Sequence, residues 1–241
     1  DEPNYSHVLE GPSWSHIMGT DYLGRDMYSR ILYGARISLY VGIGAVFFSS
    51  LITLGLGLPA GWFGGKVDTI LQRGIVDVWI ALPGLMILLT LVALLGTGLM
   101  QMIFILALGG FGSSRIIRGA VFALKEQPYV TAAKAIGAST ARIMLRCILP
   151  NLMGPLLILM TLKFGGVILA ESTLGFLGFG IPPPFPTWGR MLSSGSMTYA
   201  YEAPWLMLWP GLALTSVVFG FNVLGDGLRD LLDPRMRGGT G

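Results

Sequence analysis

The chain has 241 residues, 53% hydrophobic and only 12% charged, with a net charge of +3. Ordinary globular domains carry about 25% charged residues, and so little charge cannot cover the surface of a soluble domain of this size. The small positive excess does not imply a nucleic-acid partner, the one cysteine, Cys147, excludes an intrachain disulfide, and the 35 glycines lie without period in apolar runs, as in helices that pack closely within a bilayer.

Residues 1–36 are polar and mixed in charge. His7 and His16 stand apart there and read as surface histidines, so no metal is expected. The stretch 19–26 has two readings. One is a capped surface helix with Asp21 as N-cap; the other is a contact for a substrate-loading protein through Asp21, Arg25 and Asp26. The charge-free run 37–65 predicts the first membrane span. The run 78–114 is long enough for two crossings at roughly 20 residues each, and it divides at the turn signal Gly96-Thr97-Gly98. A fourth span is expected over 151–175, interrupted by Lys163 and Glu171, and a fifth over 204–225. The prediction is an all-α membrane protein with five transmembrane helices in this chain.

Lys163 falls about 12 residues into its span, roughly 18 Å deep at about 1.5 Å per residue. A lysine at mid-depth costs about 2.5–3.5 kcal/mol on insertion scales. It should face a watery path or an acidic partner, or else be satisfied by carbonyls at a helix contact. Glu171 lies further along, toward the end of the span, as a pathway group or an interface carboxylate. Between the last two spans, Pro182-Pro183-Pro184 with Pro186 and Trp188 predicts a rigid loop with an interfacial aromatic anchor. The charged stretch from Asp226 to Pro234 should end the last helix.

Lysine and arginine set the orientation. The segments 66–77, 115–150 and 226–241 carry Lys66, Arg73, Arg115, Arg118, Lys125, Lys134, Arg142, Arg146, Arg229, Arg235 and Arg237, against Arg25, Arg30, Arg36 and Arg190 on the other side. Residues 1–36 are therefore expected outside the cytoplasm, 37–230 as the membrane domain with a cytoplasmic loop at 119–150, and 231–241 as a cytoplasmic tail. The chain starts at Asp1 without a signal segment, so a preceding N-terminal helix is also expected.

No catalytic residue is expected. Gly64-Gly65-Lys66 is followed by Val67 instead of Ser or Thr, and Ala60 stands where a phosphate loop needs its first glycine. There is no metalloprotease motif, nucleophile elbow or Cys/His cluster. A stand-alone channel or carrier and an intramembrane enzyme are the rival classes, and the second has no residues to support it.

The stretch 126–155, EQPYVTAAKAIGASTARIMLRCILPNLMGP, holds the most information. Pro128 suits a first helical turn, and Gly137 suits a left-handed helix end. Ser139 or Thr140 can cap a second helix, carrying Ile143, Met144, Ile148 and Leu149 until Pro150. Two short helices at a bend, with small Ala132, Ala133 and Gly137, make either a loop on the membrane surface or a docking knob. The run Ala132-Ala133, Gly137 and Leu149-Pro150 resembles the "EAA" loop of bacterial ABC-importer permeases, with Thr131 in place of the usual Glu and Cys147 in place of an aliphatic residue. The resemblance extends to Gly19-Thr20-Asp21-Tyr22-Leu23-Gly24-Arg25-Asp26, to Gly34-Ala35-Arg36-Ile37-Ser38-Leu39, to Phe176-Leu177-Gly178, to Pro183-Pro184 through Trp188-Gly189, and to Asn222 through Asp230. Together these are similar to the dipeptide/oligopeptide/nickel permease group, and to its C-type subunit.

That resemblance implies an importer-type permease fold with a sixth, N-terminal helix. It implies import of a small solute by alternating access in the cytoplasmic membrane of a bacterium or archaeon. Di- or oligopeptides are expected first, with nickel, glutathione or oligosaccharide as alternatives within the group. The partners it implies are a second permease subunit, two ATP-binding subunits, an extracytoplasmic substrate-binding protein and membrane lipid. Thr131, Ala132, Ala133, Gly137, Leu149 and Pro150 would contact a groove on the ATPase, a helix-in-groove interaction. The chain itself would bind no cofactor, with ATP and magnesium held by the ATPase subunits.

Overall fold

The computed structural model describes residues 3–232, with 194 and 195 followed along the backbone only. Among these residues every regular element is helical, apart from one isolated bridge between Thr20 and Asp26. The part of the expected tail beyond residue 232 lies outside the described residues.

Helix α1 (Met27–Phe63) is 37 residues long and starts well before the charge-free run. The reason lies at its first turn, where the Asp26 carboxylate accepts the Ser29 N–H at 2.8 Å. Asp26 is the cap, not Asp21, and the helix begins among the arginines. After Gly64, α2 (Gly65–Ala81) contains a widened π turn over Thr69–Val76. It stops at Leu82, whose extended backbone (φ −91°, ψ 142°) is the conformation a residue before proline is pushed into. Helix α3 (Gly84–Leu95) then leaves at 90° to α2. The first half of the apolar run 78–114 is therefore bent at Pro83, and the α2–α3 pair forms either a broken span or a re-entrant loop.

The Gly96-Thr97-Gly98 break is present, with Gly96 at φ +80° closing the turn. Helices α4 (Leu99–Ala107) and α5 (Gly110–Lys125) follow as one stretch of 27 residues with a jog between them. The short α6 (Pro128–Ala135) leads into α7 (Thr140–Phe176), 37 residues through Pro150 and Pro155. The expected stop at Pro150 does not occur. The π turn Met144–Ile148 just before it accommodates the missing N–H, and the Asn151 side chain donates to the Cys147 carbonyl at 2.7 Å. Two short helices, α8 (Trp188–Met191) and α9 (Ser194–Thr198), precede α10 (Trp205–Leu232).

Four stretches, α1, α4–α5, α7 and α10, are long and apolar enough to cross a membrane, and the bent α2–α3 pair would make a fifth. This is an all-α membrane protein. Leu94 (76% exposed) and Phe219 (69%) show the kind of apolar surface that water penalises and lipid accepts.

The described residues form two compact units. The first comprises 3–45, 88–106 and 164–221; the second comprises 46–87, 107–163 and 222–232. In the first, Val41, Ala45, Ile105 and Ile168 are buried and the rings of Phe164 and Phe221 stack at 3.9 Å. In the second, Leu58 and Trp62 of α1, Ile117 and Val121 of α5, and Leu152 and Leu156 of α7 form the core. Helices α1 and α5 come close because Gly61 has no side chain: a Cβ there would sit 2.6 Å from that of Val121.

Candidate functional site

The candidate docking knob is built from α6 and the first turns of α7. Gln127 is extended and Pro128 occupies the first turn of α6. The helix ends in a Schellman motif, with the Gly137 N–H donating to the Lys134 carbonyl at 3.0 Å and the Ala138 N–H to the Ala133 carbonyl at 3.0 Å. Gly137 sits at φ +77°, where a side chain would be strained. Ser139 caps α7 by accepting the Arg142 N–H at 3.4 Å.

The knob is fastened through one face. Val130, Ile143 and Ile148 are fully buried in the core of the second unit, with Ala133, Ala138, Met144 and Cys147 partly buried against it. Helical spacing alone would turn position 147 inward after Ile143. The π turn adds a residue, so Ile148, Leu152 and Leu156 continue the stripe instead. The end of α1 adds two links: Lys125 donates to the Trp62 carbonyl at 2.9 Å, and the Lys134 ammonium lies 5.3 Å from the Trp62 ring centre.

The opposite face is open. Thr131, Ala132, Ala135, Ile136, Gly137 and Pro150 are exposed, Ile136 at 85%. Of the six residues expected to meet an ATPase, the structure presents Thr131, Ala132, Gly137 and Pro150 outward. Ala133 turns into the core and Leu149 is half-buried. Sequence reasoning missed the brace beside the knob. Asp68 and Asp77, near the two ends of the π turn in α2, pair with Arg118 and Arg115 of α5, and Gln72 donates to the Ser114 hydroxyl at 3.4 Å. Nothing in the sequence joins residues so far apart along the chain.

Among the described residues, Lys163 meets neither an acid nor a carbonyl. Its ammonium donates to the Ser49 hydroxyl at 2.6 Å and the Ser113 hydroxyl at 3.1 Å, inside the second unit. Glu171 belongs to the first unit and is 1% exposed, a buried group and not a surface carboxylate. Its Oε2 accepts from the hydroxyls of Ser38 at 3.3 Å and Ser172 at 3.4 Å, while Oε1 has no hydrogen-bond partner among the described residues. Trp188 is not an interfacial anchor either. It is 2% exposed and its indole N–H donates to the Ile31 carbonyl at 3.1 Å.

Asp21 is the hub of the first segment. Its carboxylate accepts the N–H groups of Leu23 at 2.8 Å and Arg25 at 2.9 Å, pairs with the Arg25 guanidinium at 2.7 Å, and lies 3.5 Å from Arg30. At 3% exposure it organises the turn and presents nothing outward. A cleft of about 460 Å³ opens beside it, lined by Tyr22, Arg25, Arg30, Phe185 and Arg190 among others. Asp26 holds its proton less tightly than an ordinary aspartate: partial burial works against this, but hydrogen bonds from Ser29 and His16 outweigh it. The two histidines are not isolated, because the structure brings His7, Glu10 and His16 together.

Residues 27–238 match the family described as "binding-protein-dependent transport system inner membrane component". The chain belongs to that family. This inner membrane component is 44% identical to the dipeptide transport system permease protein DppC of Alkalihalophilus pseudofirmus, over 98% of this chain and 77% of the relative. It is 41% identical to the di/tripeptide permease DppC of Pseudomonas aeruginosa, over 95% and 75%. It is also 41% identical to the oligopeptide permease OppC of Bacillus subtilis, over 97% and 76%. Its fold is shared with a chain of the inward-facing methionine ABC transporter MetNI, at TM-score 0.64 and 21% identity over 86% of this chain and 98% of that one. As a member of the family it is a multi-pass membrane permease of an ABC importer, working with that importer's other components. It carries out transport, not an enzymatic reaction.

Proposed function

We propose that this chain is one of two permease subunits of a di- or oligopeptide importer, coupled to two ATPase subunits through the α6 knob. The observation that carries the reading is the knob itself: a short helix anchored by Val130, Ile143 and Ile148, with an open face of small residues ending at Gly137. Such a face lets a groove come close to the backbone, and its rigid anchoring lets a push on the knob move α5 and α7. ATP and magnesium are held on the ATPase subunits in this reading, and none is bound here. The relatives' identities as dipeptide, di/tripeptide and oligopeptide permeases support peptides as cargo. The lysine and arginine distribution supports a cytoplasmic knob and C-terminus, with residues 1–26 outside the cytoplasm. The buried state of Asp21 moves the expected contact with the binding protein onto exposed neighbours such as Tyr22 and Trp14.

The test is uptake of a labelled dipeptide by proteoliposomes holding the assembled transporter, its binding protein and ATP. Uptake should require all components and be competed by other short peptides. Uptake of nickel or an oligosaccharide in place of peptides would overturn the cargo assignment while leaving the permease reading intact.

A further inference from the structure

Before α1, the chain folds back on itself around Thr20, a fully buried threonine. Its hydroxyl donates to the His7 carbonyl at 2.5 Å and accepts the Glu10 N–H at 2.8 Å, and its own N–H donates to the Glu10 carbonyl at 2.9 Å. The indole of Trp205 holds the Thr20 carbonyl at 3.1 Å. His16 is fixed by a second turn: its N–H donates to the Ser13 hydroxyl at 3.2 Å, and its carbonyl accepts from Ser13 and Gly19 at 2.9 Å each. Three residues of this one short segment are thus held by the backbone with their side chains close together.

We propose that His7, Glu10 and His16 bind a borderline divalent metal ion of the zinc class. One ligand atom from each lies within 4.8 Å of the others. A tetrahedral site with bonds of about 2.0–2.1 Å holds its ligand atoms about 3.3 Å apart, so the ion would draw the three side chains slightly closer. Two imidazoles and one carboxylate are a donor set suited to Zn²⁺, Ni²⁺, Co²⁺ and Cu²⁺ and poor for Mg²⁺ or Ca²⁺. The support around the site matches. The His16 Nδ1 lies 3.2 Å from the Asp26 carboxylate, which fixes the tautomer and leaves Nε2 as a lone-pair donor. Asp26 is itself held by capping α1. The His7 Nδ1 and Glu10 Oε1 are 2.7 Å apart, a hydrogen bond that keeps the two side chains together and is exchanged for the ion on binding. His7 and Glu10 are 44% and 42% exposed, so an ion can enter and water can fill the remaining position. The bound ion would tie the two turns of the segment together.

The experiment is a Zn²⁺ titration of the assembled, chelator-stripped transporter, followed by Cu²⁺ electron paramagnetic resonance on the same preparations. Wild type should take up one more Zn²⁺ per copy of this chain than the His7→Ala/His16→Ala variant, and its Cu²⁺ spectrum should show coupling to imidazole nitrogens. His7→Ala, His16→Ala and Glu10→Gln should each weaken binding at least about tenfold, whereas Ser15→Ala should leave it unchanged. His7 is half-exposed, so its variant remains informative if His16→Ala assembles poorly. Equal metal uptake by wild type and His7→Ala would overturn the site. So would uptake only at millimolar Zn²⁺. The readout is metal content, so neither outcome depends on which cargo the transporter carries.

Discussion

Gly137 concentrates the argument for the knob in one residue. Its φ of +77° is set by the Schellman turn, yet a Cβ there would meet nothing within 4 Å. Gly137→Ala should therefore cost only the backbone strain, about 1–2 kcal/mol, and leave most transport intact. Gly137→Asp suffers little more strain, since aspartate tolerates positive φ better than most residues. It places a charge on the face that is proposed to enter an ATPase groove, where a desolvated, unpaired carboxylate is costly. The Asp variant should insert normally, lose most peptide uptake and release its ATPase subunits during purification. Normal uptake with the ATPases retained would show that this face is not the coupling surface. Lys163 offers a second prediction at this scale. Two serine hydroxyls are weak compensation for a charge inside the helix packing, and an apolar side chain of similar volume avoids the desolvation cost. Lys163→Met should leave the melting temperature in detergent unchanged or raise it. A fall of several degrees would mean that the lysine is a net structural contact.

At the scale of elements, the π turns decide how helices with awkward residues still pack. Helix α7 carries Pro150 and Pro155, and its buried stripe changes register between Ile143 and Ile148. Ile143 joins the knob to the core at 2% exposure. Ile143→Ala should cost about 2–5 kcal/mol of local packing. Hydrogen–deuterium exchange should then speed up across α6 and the first turns of α7, and stay unchanged in α10. A uniform increase along the chain would show that the knob is not a separately anchored element. Much at this scale was legible. The α6 start at Pro128, its end at Gly137 and the Ser139 cap follow from local chemistry that acts within a few residues. The bend after residue 81 and the passage of α7 through Pro150 do not follow from local pattern. In the first case Pro83 bends a run that is apolar throughout, and in the second an inserted residue absorbs the proline.

For the whole molecule, the charge asymmetry makes a topological prediction that no single helix carries. Cysteines placed at Ser13 and at Ser139, both exposed, should label differently with a membrane-impermeant maleimide in intact cells. Ser13→Cys should react and Ser139→Cys should react only after lysis. The reverse pattern would invert the orientation and put the knob out of reach of any cytoplasmic ATPase. The sequence by itself determined that the chain is an all-α membrane protein, and it marked the knob. Hydropathy, Gly/Pro punctuation and caps are local, and backbone hydrogen bonding in lipid leaves little choice but helix. Only the tertiary structure decided what the polar residues do. Asp21 became a buried hub, Glu171 a buried acceptor, Lys163 a partner of serines, and His7, Glu10 and His16 neighbours. Glu171 and Lys163 find their partners in distant parts of the chain, and Asp21 and the histidines find theirs through the folding of the first segment, so neither set follows from local pattern.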